Sequence, residues 1–379
     1  MMNKNIVIRG GYGYGNFGDD ALMHTIVTEL REVSDDIALL CKNKAYIKKM
    51  FPTIEVIDYE KLKEPVYSKL LVYGGGTQFY HFKKNKINKG LKHKLLNPDY
   101  VLKYIDKKIL SKNKYIENKF QIREYAENVA LVGVGVGPFE IDNSAIEQNT
   151  AVLFKGANFV GVRDEFAMNK SKEWGVKKPI ISPDICYSFR SKFLDSYENT
   201  SSSINKIGII VRDWDYANGG GDYYDKLIQT SKILKEKGYE VKYILFDSNP
   251  NSYWYSKRDE LEMIIWNPEE DTFDTFLEKI SVFDLFITAR FHGAIFASIL
   301  QTPFIAIEVE QKLKFVSEVY EDSSACWRNP FDVSDLLSEV DDINQNYITK
   351  RNNSVQKMGE LKEKSDEMFV ELKKYYKSL

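Results

Sequence analysis

Short runs of valine, isoleucine and leucine alternate along the chain with longer stretches in which apolar residues return every three or four positions. IVI at 6–8, IALLC at 37–41, KLLVYGGG at 69–76, VALVGVGVGP at 129–138, ANFVGVR at 157–163 and PIISPD at 179–184 read as strands. Between Ala21 and Leu30, Leu22, Ile26 and Leu30 recur at i+4 with Met23 and Val27 beside them, which predicts a helix with one apolar face. Glu165 to Trp174, closed by Gly175, predicts another. The polar, serine-rich SYENTSSSINK at 196–206 interrupts the series and reads as a linker. The rhythm then restarts with IGIIVR (207–212), a helix from Tyr223 to Lys237, VKYILF (241–246), a helix near Asp271–Lys279, DLFITAR (284–290), a helix from Gly293 to Leu300 and PFIAIE (303–308). Strands apolar on both faces and separated by helices predict largely parallel sheets covered on both sides. The expectation is an α/β protein of two domains, 1–195 and 204–345. In the segment 350–379, Val355, Met358, Leu361, Met368, Phe369, Leu372 and Tyr375 fall on one stripe, predicting a terminal helix packed near the domain junction.

Composition narrows the function classes. At 379 residues the chain has room for two cores without disulfides or metals. A net charge of −2 with 43% hydrophobic residues argues against a dedicated nucleic-acid binder and against a disordered chain. Cys41, Cys186 and Cys326 are far apart, and the four histidines (His24, His81, His93, His292) form no HExxH pair, so no metal site is expected. No apolar run has the length of a signal peptide or a membrane span, which predicts a soluble cytoplasmic protein. One segment departs from the average: residues 83–119 hold twelve lysines against Asp99, Asp106 and Glu117, a local excess of +9 interleaved with leucines and tyrosines. Two readings stand, a solvated helical insertion or a basic amphipathic surface for anionic lipid or a diphosphate-bearing glycolipid.

Only ten residues are arginine, so their placement carries information. Arg9, Arg163, Arg212 and Arg290 each follow a predicted strand directly, and ligands of open α/β sheets bind beyond the carboxyl ends of strands. Arginines there suit a small anionic substrate, since the guanidinium grips carboxylate or phosphate bidentately. The first loop contains Gly13-x-Gly15-x-x-Gly18, but Cys41-Lys42-Asn43 stands where a dinucleotide fold needs its ribose-binding acid, which argues against nicotinamide or flavin. Asp19, at the following helix start, reads as a helix cap or as a group for a substrate hydroxyl or base catalysis. Gly74-Gly75-Gly76, then Thr77 and Gln78, mark a strand exit where a ligand or another chain segment approaches closely. The densest element is ITARFHGAIF, which sets Arg290 and His292 at a strand mouth and Gly293 in the helix that follows. A histidine there meets the positive helix end, which depresses its pKa and favours a bound anion. Nothing matches a GxSxG nucleophile elbow.

In order and spacing these landmarks resemble the polysaccharide pyruvyl transferase family: GNFGDDALM (15–23), the glycine triplet 74–76, GVGVGP (133–138), VRDEFA (162–167), SPD (182–184), Arg212 and ARFHGAIFASILQTPFIAI (289–307). Ala167 stands where that family usually carries serine. The resemblance implies two Rossmann-like domains facing across a cleft, similar to the glycosyltransferase B fold. It implies phosphoenolpyruvate as a co-substrate without further cofactor, and a sugar diol of a glycan or lipid-linked saccharide as acceptor. A cyclic pyruvate ketal and phosphate would be the products. Arg212, Arg290 and Gly293 are then expected around the donor, His292 as the acid, protonated by the donor anions against the helix-end effect, and Asp19 as an acceptor-side base. Asn16, Gly18, Gly75, Gly76, Gln78, Arg163 and Asp184 are expected at the acceptor or along the cleft. The basic segment lies outside the shared pattern, so the resemblance assigns it no role, and solvated insertion and peripheral membrane contact both stand as readings of it. The alternatives are a nucleotide-sugar glycosyltransferase of similar fold and a non-catalytic glycan-binding protein.

Overall fold

The computed structural model describes residues 2–42, 44–58, 61, 64–81, 124–139, 145–214 and 221–379; the basic segment 83–119 lies outside the described residues. The first sheet contains β1 (Met2–Arg9), β2 (Ile37–Cys41), β3 (Glu55–Asp58), β4 (Val66–His81), β5 (Glu124–Phe139), β6 (Phe159–Val162) and β7 (Ile180–Ile181), in the order β3-β2-β1-β4-β5-β6-β7. The second contains β8 (Lys206–Val211), β9 (Glu240–Leu245), β10 (Met263–Ile265), β11 (Leu285–Thr288), β12 (Phe304–Ile307) and β13 (Ser324–Trp327), in the order β10-β9-β8-β11-β12-β13. All neighbouring strands run parallel. Both sheets thus reverse their strand order beside their first strand, between β1 and β4 and between β8 and β11, as in Rossmann sheets, where the crevice at the reversal receives ligands.

The helices are α1 (Phe17–Arg31), α2 (Lys44–Met50), α3 (Ala145–Gly156), α4 (Glu165–Glu173), α5 (Tyr223–Glu236), α6 (Tyr253–Ser256), α7 (Phe273–Ile280), α8 (Phe291–Ile299), α9 (Gln311–Val319), α10 (Val333–Gln345) and α11 (Tyr347–Lys377), with a 3₁₀ turn at Ile185–Ser188. Among the described residues none is long and apolar enough to cross a membrane. Strands β2, β6, β11 and β12 are buried at every position, which explains why they read so plainly as apolar runs. Shorter and more exposed strands gave no such run: β3 carries Glu55 and Asp58, and β10 is half-buried throughout. The terminal helix starts at Tyr347, earlier than the apolar stripe predicts, because Tyr347 is itself buried and donates its hydroxyl to the carbonyl of Asp284.

The largest apolar cluster crosses from one sheet unit to the other. Phe17, the first residue of α1, is fully buried among Phe246, Trp266, Phe273, Phe276 and Phe296 of the second unit, with ring centroids 4.6–5.9 Å away. Its backbone N–H donates to the carbonyl of Phe246 at 2.8 Å. Helix α11 returns to the first unit, where Lys373 bridges Glu29 of α1 and Glu32, the residue that follows it, and Tyr375 donates to Asn128. The two crevices are therefore pinned face to face by an aromatic plug and by a helical strap.

Candidate functional site

Asn16 caps α1: its side-chain oxygen accepts the N–H groups of Gly18 and Asp19 at 3.1 and 3.4 Å. Asp19 is therefore not the cap. It sits in the first turn, half-buried, and no hydrogen bond to its carboxylate occurs among the described residues. Burial raises its pKa to about 6, opposed by Lys312, Arg290 and Arg212 and supported by Asp184. The next residue, Asp20, is fully buried and satisfied: Tyr46 Oη donates to Oδ1 at 2.8 Å and Trp266 Nε1 to Oδ2 at 3.1 Å. Burial outweighs those bonds and lifts its pKa to about 7.

From the second unit come three cations. Arg212 leaves the end of β8, lies over the Trp214 ring at 4.4 Å and donates to Glu310 at 2.7 Å. Arg290 leaves β11, donates through Nε to the carbonyl of Val211 at 3.2 Å and pairs with Asp247. Lys312, in the first turn of α9, pairs with Glu310 at 3.3 Å, and burial lowers its pKa. The turn carrying Arg290 is fixed by Thr288, whose hydroxyl donates to the Arg290 carbonyl and accepts its N–H. Gly293 lies below, with room for no side chain, because a Cβ would meet the Thr288 hydroxyl at 2.2 Å.

His292 stands between the two units. Its ring is packed against Gly18, where a Cβ would fall 2.2 Å from Nδ1, so only glycine admits the ring at this point. Nε2 is buried without a hydrogen-bond partner, and the Asp184 carboxylate lies 3.8 Å away. The expected protonation of the ring by a bound donor is not tested in the unliganded protein. Burial lowers the His292 pKa to about 4; Asp184 opposes this, while Arg163, Lys312 and Arg290 deepen it. The helix-end argument gave the direction; burial and three cations supply the size.

Arg163 completes the inner wall. It donates to Thr77 at 2.8 Å, reaches Asp184 at 3.5 Å and lies over the Phe291 ring at 5.1 Å. Asp184 also accepts the N–H of Cys186 at 3.0 Å. Asp184, Cys186 and His292 offer atoms within 4.8 Å of one another, the spacing of a metal site. One feature disfavours a cation there: Arg163 already sits on the carboxylate. These residues suit handling of a proton beside an anion.

Sequence reading and structure part in several places. Arg9 does not join the group; it pairs with Glu124 and lies over the Tyr73 ring. Gln78 turns inward, donating to the carbonyls of Gly74 and Gly75 at 2.9 and 2.8 Å, and so stabilises the strand exit instead of facing a ligand. Gly75 and Gly76 adopt positive φ (62° and 72°) where β4 passes over Leu22 of α1, so the close approach there is by the chain. Lys312, Glu310 and Asp247 were missed. Lys312 follows the last recognisable element by only a few residues, but no pattern separates it from the other 42 lysines.

No curated protein matches the chain in sequence. Solved structures share its fold: HepE of Anabaena in complex with UDP (TM-score 0.54, 8% identity, 99% of this chain and 100% of that one). The UDP-GlcNAc 2-epimerase of Methanocaldococcus jannaschii in complex with UDP-GlcNAc and UDP (0.51, 14%, 91% and 93%) and a glycosyltransferase of Rickettsia africae (0.50, 11%, 99% and 98%) are also similar. The fold is thus that of the glycosyltransferase B class, shared by glycosyltransferases and epimerases. The sequence profile of one family covers residues 16–311, from the cap of α1 to the first residue of α9, and so takes in every cleft residue described above except Lys312; the chain belongs to the polysaccharide pyruvyl transferase family.

Proposed function

We propose that the protein transfers the pyruvyl group of phosphoenolpyruvate to two hydroxyls of a sugar, forming a cyclic ketal and releasing phosphate. The observation that carries this reading is the convergence of Arg212, Arg290 and Lys312 on Asp19, with Arg290 and Lys312 also acting on His292, at the facing crevices. Three cations suit a small donor with a phosphate at one end and a carboxylate at the other. Protonation of the donor methylene makes C2 electrophilic. One sugar hydroxyl adds there, the C2–O bond to phosphate breaks, and the second hydroxyl closes the ring. The cations hold the donor's charge as it shifts toward the leaving phosphate.

The rival is nucleotide-sugar transfer, since relatives in fold bind UDP. Glu310, at the mouth of the second crevice, is already held by Arg212 and Lys312 and is not free for a ribose hydroxyl, which favours pyruvyl transfer. Phosphate release from phosphoenolpyruvate that requires a sugar diol selects our reading; release of UDP from nucleotide sugars, with no phosphate release, rejects it. We place the reaction in the cytoplasm, on a glycan or lipid-linked acceptor, with residues 83–119 as the membrane contact. Neutralising four lysines of that segment should then weaken binding to anionic liposomes at low salt while sparing activity on a soluble acceptor. Unchanged liposome binding removes the membrane role.

A further inference from the structure

Two acid–base groups stand at the site with their roles open. Gly18 presses on the His292 ring, and Asp19 follows it in the first turn of α1. Both side chains feel Asp184, Arg290 and Lys312. Asp19 also faces Arg212, and Tyr12 and Cys186 lie within its electrostatic reach; His292 also faces Arg163. Asp20 is fully engaged by Tyr46 and Trp266, whereas the Asp19 carboxylate has no hydrogen bond among the described residues. Among the described carboxyl groups here, Asp184, Glu310 and Asp247 are paired with arginines, and Asp19 is not. His292 Nε2 is likewise uncommitted.

We propose, resting on the pyruvyl-transfer reading, that Asp19 protonates C3 of the donor and that His292 takes the proton of the attacking sugar hydroxyl. This reverses the roles expected from the sequence. Asp19 passes its proton to C3, turning the methylene into a methyl group and C2 into an oxocarbenium-like centre. The first hydroxyl oxygen bonds to C2 and its proton goes to Nε2 of His292. The bond from C2 to the bridging oxygen breaks, its electron pair leaves with phosphate, and the imidazolium returns its proton to that phosphate. The second hydroxyl then bonds to C2, and its proton restores Asp19. Atoms and charge balance without a further reactant. In the unliganded protein Asp19 already titrates near 6 and His292 near 4. The incoming donor anion raises both, bringing Asp19 to its protonated form and His292 toward a useful basicity.

The test is phosphate release from phosphoenolpyruvate with a diol acceptor, followed against pH. Asp19→Asn should bind phosphoenolpyruvate at least as tightly as the parent, since a negative charge facing the donor is gone. Its turnover should fall about 10²–10⁴-fold, the range of general acid catalysis, and the limb that declines with rising pH should vanish. His292→Gln should remove the opposite limb. Near-parent turnover in Asp19→Asn, or a declining limb that survives it, overturns the assignment; so does a His292→Gln variant that loses the declining limb. If Asp19→Asn does not fold, Asp19→Glu decides, because its carboxyl group must keep that limb. A parent with no acceptor-dependent phosphate release overturns the pyruvyl-transfer reading itself, a failure distinct from an active parent with the wrong pH profile.

Discussion

Nε1 of Trp266 donates to Oδ2 of Asp20 at 3.1 Å, so an indole of the second unit ends on a fully buried carboxylate of the first. The same carboxylate accepts Tyr46 Oη, which in turn accepts the N–H of Gly15 at 3.1 Å. One side chain thereby connects the glycine loop, α2 and the opposite domain. Trp266→Phe keeps an aromatic ring but removes the donor and part of the buried indole, leaving the carboxylate under-satisfied beside a small gap. We expect a loss of about 1–3 kcal/mol in chemical denaturation.

Asp20 also sets a pH dependence. Its folded pKa of about 7 lies above the ordinary 3.8, so between those values the folded protein binds more protons than the unfolded chain. Its contribution to stability is greatest at the acid end and is lost as pH rises toward about 7. Asp20→Asn mimics the protonated form and escapes that loss. Relative to the parent, the variant's melting temperature should therefore rise steadily between about pH 4 and about pH 7 and then level off. A constant difference across that window would show that Asp20 does not titrate there.

Gly18→Ala tests the packing of His292. The added Cβ would lie 2.2 Å from Nδ1, so the ring must move or the crevices part. We expect phosphate release to drop by about 10²-fold, as for a displacement near 1 Å, with donor affinity less affected. Turnover close to that of the parent would show that ring position is unimportant.

Arg290→Ala removes the proposed donor contact and leaves Asp247 without its guanidinium. A charge-assisted hydrogen bond contributes about 1.5–3 kcal/mol, so affinity for phosphoenolpyruvate should fall by roughly 10–100-fold, and turnover with it. Calorimetric titration is the measurement; unchanged affinity makes Arg290 a scaffold residue.

Phe17→Ala empties the aromatic plug. Removal of a fully buried phenylalanine costs about 3–5 kcal/mol, and here the loss falls on both units at once. Thermal unfolding should show a lower midpoint, with the two halves separating into distinct transitions if the plug is what couples them.

The fold was legible because its strands are buried on both faces, as IALLC and FITA show, and such runs leave a plain mark in the sequence. Arg163, Arg212 and Arg290 were legible because a strand end fixes where the next side chain goes. Arg9 obeyed the same rule yet found Glu124 and Tyr73, since a strand end gives a location and not a partner. Asp247, Glu310 and Lys312 were illegible for the opposite reason. Asp247 and Glu310 lie on connections of the second unit, Lys312 lies in the first turn of α9, and the three gain meaning only from the charges they meet in space.

Arg163, Arg212, Arg290 and Lys312 face Asp19, Asp184, Asp247 and Glu310, four formal charges of each sign. The site thus behaves as an ion exchanger already loaded with its own counterions. On the proposed function, an anionic donor would enter by trading places with a tethered carboxylate, with few dissolved ions taken up or given off in the exchange. Affinity should then depend only weakly on ionic strength, unlike that of a bare basic patch. Selectivity follows from the same arrangement, because a single weak charge gains too little to dislodge Glu310 or Asp247, whereas a ligand charged at both ends can replace the two together.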